Sequence, residues 1–281
     1  MPAPTPAARV LVVDDDRLTR HMARSVLTNA GFAVHVATNG ADAVKRLRTR
    51  TFDLMLLDVW MPRMDGLAVL QRMKRLKHRP KVVMLTSDDA PETLLRAIRQ
   101  EAHQFVRKPI EPLALVELVR AALDATPPPR IDVISARPDW VELAVPCTRE
   151  AADRLHDVMA RLDADLPAAV RESVGYAFRE LLLNAVEWGG KLDPKRKVRI
   201  SYVRARRMLL YRIADPGPGF KMEALDHAAI AHPDSPIEHM NVREQKGLRP
   251  GGFGILTVQA TVDELIYNER RNEVMFVKYL D

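Results

Sequence analysis

The chain has 281 residues, 47% hydrophobic and 28% charged, which fits about two cored domains at roughly 150 residues each and excludes wholesale disorder or a fibre. Its one cysteine, Cys147, excludes an intrachain disulfide framework and a Cys-rich zinc site. No apolar run approaches the roughly 18 residues of a membrane span, and the start, Met1-Pro-Ala-Pro, lacks a basic secretory n-region, so a soluble, reduced, cytoplasmic protein without a membrane partner is expected.

The net charge of +6 is a small excess of 43 basic over 37 acidic residues. The densest basic run, Lys195-Arg196-Lys197 with Arg199, Arg204, Arg206 and Arg207, alternates with Val198, Ile200, Tyr202 and Val203. That pattern reads as the solvated face of a β-hairpin, with no direct nucleic-acid contact expected. Glycine is scarce, at 12 residues, and six of them (Gly217, Gly219, Gly247, Gly251, Gly252 and Gly254) fall in one C-terminal stretch. Glycine concentrated in this way marks backbone that needs positive φ or close approach to a ligand.

In chain order, Val10–Val13 reads as a buried strand, and Leu18, Met22 and Val26 mark one face of a helix that stops at Gly31. Strand 33–37, helix 41–47, strand 54–57 and helix 67–76 follow, then strand 82–85, helix 92–99, strand 104–106 and helix 112–123. Near-continuous apolar strands alternating with helices predict a doubly wound parallel sheet, whose ligand site lies at the carboxyl ends of the strands. Ala125-Thr126-Pro127-Pro128-Pro129 continues neither helix nor central strand. The chain therefore divides into a first domain over residues 9–125, a proline-rich linker over 126–138 and a second domain over 139–281.

The strand ends carry the chemistry. The first runs into Asp14-Asp15-Asp16, the third into Asp58, the fourth into Thr86-Ser87 and the fifth into Lys108-Pro109. Carboxylates gathered at one edge stay ionised together with a cation, here Mg²⁺. A lysine and a hydroxyl beside them suit phosphoryl oxygens, and a carboxylate can accept a phosphoryl group. Taken singly, Asp16 is a helix cap and Lys108 a surface lysine. The segments around Asp14, Leu56–Gly66, Leu85-Thr-Ser87 and Val106–Pro109 together resemble the receiver domain of two-component response regulators. The resemblance implies that a sensor histidine kinase phosphorylates Asp58. It also implies that Asp14, Asp15, Asp58 and the backbone carbonyl of Trp60 hold Mg²⁺, that Thr86 and Lys108 contact the phosphoryl group, and that Phe105 is the switch aromatic.

In the second half, Trp140–Val145 reads as a strand, Thr148 caps a helix to about Leu162, and a long helix runs from Ala168 to Trp188, closed by Gly189-Gly190. Glu180 and Asn184, four apart, share a helix face. After strand 208–213 come Asp215-Pro-Gly-Pro-Gly-Phe220 and, later, Gly247-Leu-Arg-Pro-Gly-Gly-Phe-Gly-Ile255. The latter reads as a phosphate-cradling loop that opens a helix. Two further strands end the chain, around 262–268 and 273–279.

The ordered set Glu180/Asn184, Asp-x-Gly-x-Gly and Gly-Gly-x-Gly resembles the GHKL (Bergerat-fold) ATPases, in detail the serine kinases of the anti-sigma-factor type. The resemblance implies an α+β sandwich that binds ATP. In it Asn184 holds Mg²⁺, Asp215 reads the adenine amino group, Gly217 and Gly219 line the base pocket, and Gly251, Gly252 and Gly254 hold the phosphates beneath a lid over residues 226–249. Glu180 would be the general base. Trp188 stands where a histidine often follows the asparagine in such kinases. The implied function is a response regulator whose Asp58 controls a serine/threonine protein kinase acting on a STAS-type anti-anti-sigma protein, or an anti-sigma module binding a sigma factor. A non-catalytic ATP-dependent binding module is the alternative. A hybrid histidine kinase is another, on Leu155-His156-Asp157. Dimerisation is an expectation from both families.

Overall fold

A computed structural model describes residues 7–87, 91–100, 102, 104–126, 129–137, 139–220 and 253–280. The chain forms two compact units, Met1–Pro128 and Pro129–Asp281.

The first unit is built on β1 (Arg9–Val13), β2 (Ala33–Ala37), β3 (Leu54–Asp58), β4 (Lys81–Thr86) and β5 (Gln104–Arg107). They form a wholly parallel sheet in the order β2-β1-β3-β4-β5. Between and after them lie α1 (Arg17–Asn29), α2 (Gly40–Thr49), α3 (Gly66–Met73), α4 (Pro91–Arg99) and α5 (Pro112–Asp124). Because side chains alternate across a strand, the apolar strand runs divide between two cores. Val10, Val12, Leu54, Leu56, Val83 and Leu85 pack with Ala23 and Leu27 of α1 and Leu115 and Val119 of α5. Leu11, Val13, Met55, Leu57, Val82 and Met84 pack with residues of α2, α3 and α4. This is the expected doubly wound layering, and the strand order reverses between β1 and β3, where such folds open a crevice.

The starts of α1, α2 and α3 are set by side-chain caps. Asp16 accepts from the backbone N–H groups of Leu18 and Thr19, Asn39 from that of Asp42 and Asp65 from that of Ala68, each satisfying an orphan first-turn donor. The third helix ends at Met73, three residues before the expected Leu76.

The second unit carries β6 (Asp132–Arg137), β7 (Trp140–Pro146), β8 (Lys197–Ala205), β9 (Met208–Ala214), β10 (Glu264–Tyr267) and β11 (Glu273–Tyr279). They form an antiparallel sheet in the order β10-β11-β9-β8-β7-β6. Among the described residues its α-helices are α6 (Arg149–Leu162), α7 (Ala168–Asn184) and α8 (Gly254–Thr261). The inward residues Val141, Leu143, Val198, Ile200, Tyr202, Leu209, Tyr211, Ile213 and Phe276 are all buried. The Tyr211 ring stacks on Phe276 at 4.9 Å and lies 5.1 Å from Phe178 of α7. Beneath them Asp163, at the end of α6, accepts from the hydroxyls of Tyr202 at 2.8 Å and Tyr211 at 2.5 Å. Burial pushes the Asp163 carboxyl up, against the pull of those two donors.

Two findings differ from the sequence reading of this half. Residues 132–137, expected within the linker, form β6 and pair with β7 through a bulge between Val133 and Ser135. Ser135 and Arg137 interrupt the apolar run, as befits an edge strand. The long helix does not stay α-helical to Trp188. It ends at Asn184 and continues as one π-helical turn, Ala185–Gly189. The basic hairpin is β8–β9, and several of its cations are matched: Lys197 with Asp132, Arg204 with Asp165 and Arg212 with Glu273. Among the described residues no helix is long and apolar enough to cross a membrane.

Candidate functional site

At the carboxyl edge of the parallel sheet, Asp14 follows β1 and Asp58 ends β3. Both are buried, at 1% and 5% exposure, while Asp15 is exposed. One ligand atom from each of the three lies within 4.8 Å of the others. Lys108, just after β5, bridges two of them, its Nζ 2.7 Å from Asp14 Oδ2 and 2.7 Å from Asp58 Oδ1. Three carboxylates against one ammonium leave an excess of negative charge, and an all-oxygen cluster of this kind suits a hard divalent cation.

Electrostatics separate the partners. Burial raises the pKa of Asp58 above the ordinary carboxylate value, opposed by the hydrogen bond and charge of Lys108. Burial alone would lower that of Lys108, but its hydrogen bonds to Asp14 and Asp58 outweigh it and the ammonium is held more firmly. Asp14 is fixed further by its Oδ1, which accepts from Asp16 N at 2.8 Å, and by its carbonyl, which accepts from Arg20 at 2.7 Å.

Thr86 ends β4, is fully buried, and its carbonyl accepts from Lys108 N at 2.7 Å. Phe105 lies within β5, partly buried against the core on one face of the sheet. Trp60, two residues past Asp58, is half exposed. Gly66, which opens α3, closes over this edge: a Cβ there would stand 2.2 Å from Asp58 O. Nothing in the sequence pattern of Leu56–Gly66 marks Gly66 for that role.

In the second unit Glu180 and Asn184 sit half-buried in the last turns of α7. Gly254, the first residue of α8, meets Glu180, since a Cβ there would lie 2.5 Å from Glu180 Oε2. The carboxylate thus lies beside an α-helix N-terminus, where the dipole favours negative charge. Asp215 follows β9. Its Oδ1 accepts from Gly217 N at 2.6 Å, a local turn that sets the Asp-Pro-Gly loop. Burial raises its pKa, against the Gly217 N–H and the charge of Arg196.

The π-helical turn joins these pieces. A Cβ at Gly189 would stand 2.2 Å from Asp215 Cγ, and one at Gly217 2.9 Å from Gly189 O. Gly190 likewise leaves room for the buried Cys147 sulfur, 2.3 Å from where its Cβ would be. The sequence marked Gly189-Gly190 as a helix stop. Their deeper role is close approach, bringing the end of α7 against the Asp215 loop. Trp188, in the same turn, is 56% exposed. Gly219 adopts φ 87°, a region that favours glycine. Gly247, Gly251, Gly252 and the expected lid over 226–249 lie outside the described residues. His156 is on α6, its Nε2 3.7 Å from where a Cβ of Gly175 on α7 would stand.

Known proteins divide the chain in the same two parts. Residues 10–120 match the response regulator receiver domain family, and residues 143–278 the histidine kinase-like ATPase domain family. The chain is 31% identical to the chemotaxis protein CheY of Bacillus subtilis over 119 residues, 42% of this chain and 99% of that protein. It is 31% identical over 182 residues to the DNA-binding response regulator MtrA of Mycobacterium leprae, 64% of this chain and 79% of that one. A solved CheY-like receiver domain from Methanospirillum hungatei is 26% identical, with a TM-score of 0.41, over 42% of this chain and 94% of its own. The chain belongs to the response regulator family, as a receiver domain fused to a GHKL, histidine-kinase-like ATPase domain.

Proposed function

We propose that Asp58 accepts a phosphoryl group from a sensor histidine kinase and that its phosphorylation controls an ATP-binding output in the second unit, in a partner-switching pathway. The observation that carries this reading is the cluster of Asp14, Asp15 and Asp58 bridged by Lys108. An Asp58 oxygen attacks phosphorus, the new P–O bond forms as the donor P–N bond breaks, and the departing imidazole takes up a proton. Asp14, Asp15, Asp58 and the Trp60 carbonyl would hold Mg²⁺, which when bound would supply positive charge against the gathered oxygens. Lys108 turns from Asp58 to the phosphoryl oxygens, and the Thr86 hydroxyl follows. The modification adds about 1.5 to 2 negative charges, and Phe105 in β5 reports the shift of Thr86 in β4.

In the second unit Asp215 reads the adenine amino group. Asn184 would hold the nucleotide's Mg²⁺, Gly217 and Gly219 would line the base side, and Gly251, Gly252 and Gly254 are assigned to the phosphates. ATP supplies the phosphoryl group. Glu180, beside Gly254, would take the proton from an incoming serine or threonine hydroxyl of a STAS-type anti-anti-sigma protein as that oxygen bonds the γ-phosphorus and the P–O bond to the departing ADP breaks. The test is labelling of such a partner by the purified chain with Mg-ATP, before and after acetyl phosphate. Glu180→Ala should abolish transfer, and labelling that survives it overturns the kinase reading. Trp188 favours a second reading, an ATP-bound module that sequesters a sigma or anti-anti-sigma protein without turnover. There, output survives Glu180→Gln and fails with Asp215→Asn.

A further inference from the structure

The loop 215–220 rests on the turn between β10 and β11, whose residues have no role in the preceding scheme. Asp215 N donates to Asn272 O at 2.8 Å, and Asn272 Nδ2 donates to Gly217 O at 3.2 Å. Both ends of Asp-Pro-Gly therefore lean on one residue. The next glycine is pressed against the same turn, because a Cβ at Gly219 would lie 1.6 Å from Arg270 O. Phe220 meets Tyr267 edge-on at 5.8 Å, and the Arg271 guanidinium stands 6.0 Å from the Phe220 ring centre.

Asn272 is itself held by Asn268. Asn268 Oδ1 accepts from the backbone N–H of Asn272 and of Glu273, each at 3.2 Å, and Asn268 Nδ2 donates to Asn272 Oδ1 at 2.9 Å. That last bond fixes which way the Asn272 amide points. With its oxygen occupied by a donor from Asn268, its nitrogen is the group left to face the Gly217 carbonyl. Gly217 has the broadest backbone freedom of any residue type, and its N–H is the partner of Asp215 Oδ1 at 2.6 Å. Pinning the Gly217 carbonyl thus limits the swing of the N–H that orients the Asp215 carboxylate.

We infer that Asn272 is a positioning residue for Asp215, set in place by Asn268, and that it tunes recognition of the 6-amino group of a purine nucleotide. The inference rests on the nucleotide reading of the Asp215 site. A scaffold that merely shaped the pocket would affect every purine nucleotide alike. A residue acting through Asp215 affects only those carrying the amino group that Asp215 accepts.

The test compares equilibrium binding of ATP and of purine riboside triphosphate, which lacks that amino group, to the full chain. Asn272→Ala should weaken ATP about three- to tenfold, the scale of one lost neutral hydrogen bond, and leave the analogue within about twofold. In the Asp215→Ala background it should have no further effect on ATP. Asn268→Ala, which keeps Asn272 but frees its amide, should give a smaller loss confined to ATP, and melting temperatures establish that the variants fold. Equal losses for the two nucleotides, or no loss of ATP, overturn the positioning role while the nucleotide reading stands. A wild-type chain that binds neither nucleotide overturns both.

Discussion

In the first sheet the groups of the candidate site are strand ends: Asp14 after β1, Asp58 closing β3, Thr86 closing β4 and Lys108 after β5. In the second they come from unlike places. Glu180 and Asn184 are on a helix, Asp215 follows a strand, Gly254 opens a helix and Asn272 lies in a hairpin turn. A parallel sheet sends every strand end to the same edge, so its site is assembled by the fold itself. An antiparallel sheet with helices on one face has no such edge, and its site needs close-approach glycines and a side-chain brace to bring the parts together. The first site is thus built from charge, and the second from backbone proximity.

The sharpest way to break this contrast is to remove one group from each site. Asp58→Asn should reduce labelling of the chain by acetyl phosphate to background while leaving ATP binding intact. Glu180→Ala should do the reverse for transfer to a protein partner and leave acetyl phosphate labelling untouched. Label that persists in Asp58→Asn would mean that another carboxylate of the cluster accepts the phosphoryl group.

Next in size are the glycines. Gly219→Ala places a side chain at φ 87°, which costs about 1–3 kcal/mol on backbone grounds alone. Its Cβ would also fall 1.6 Å from Arg270 O. ATP binding should fail, and acetyl phosphate labelling should continue. Gly66→Ala has the opposite signature: its Cβ would meet Asp58 O at 2.2 Å, so labelling falls while ATP binding holds. Loss of both functions in either variant would deny that the two sites are built separately.

The difference also explains what could be read from the sequence. In the parallel sheet, apolar runs located the strands, and the residue after each run located the site, so Asp14, Asp58, Thr86 and Lys108 were legible from pattern alone. In the second unit Glu180 and Asn184 were legible as a helix face and Asp215 as a strand end. The hidden part lay in contacts between distant segments. Gly189 looks like a helix stop until Asp215 is seen 2.2 Å from where its Cβ would be. Asn272 looks like ordinary turn composition until its amide is seen on Gly217. Strand β6 was hidden by its polar, bulged edge character, and the π-helical turn by a helix pattern that runs on through Trp188.

A smaller effect should appear with pH. Asp215 must be ionised to accept a donor with both oxygens, and burial raises its pKa above the ordinary 3.8. Its affinity for ATP should therefore weaken as pH falls, beginning above the usual carboxylate range. Asp215→Asn should bind more weakly and lose that dependence. An ATP affinity that stays flat down to the ordinary carboxylate range would remove Asp215 from base recognition.

The smallest effect concerns Asp163, which has no part in either site. Its folded pKa is raised above the ordinary 3.8, chiefly by burial. A raised folded value means that the native state binds the proton more tightly than the unfolded chain does. The associated stability is complete below the unfolded value and is lost as pH rises through the folded one. Asn at this position cannot titrate. The melting temperature of wild type relative to Asp163→Asn should therefore rise as pH is lowered from neutral toward the ordinary carboxylate value, whichever variant is the more stable at pH 7. The opposite trend would mean that the hydroxyls of Tyr202 and Tyr211 outweigh the desolvation. The carboxylate would then be a stabilising charge in the second unit.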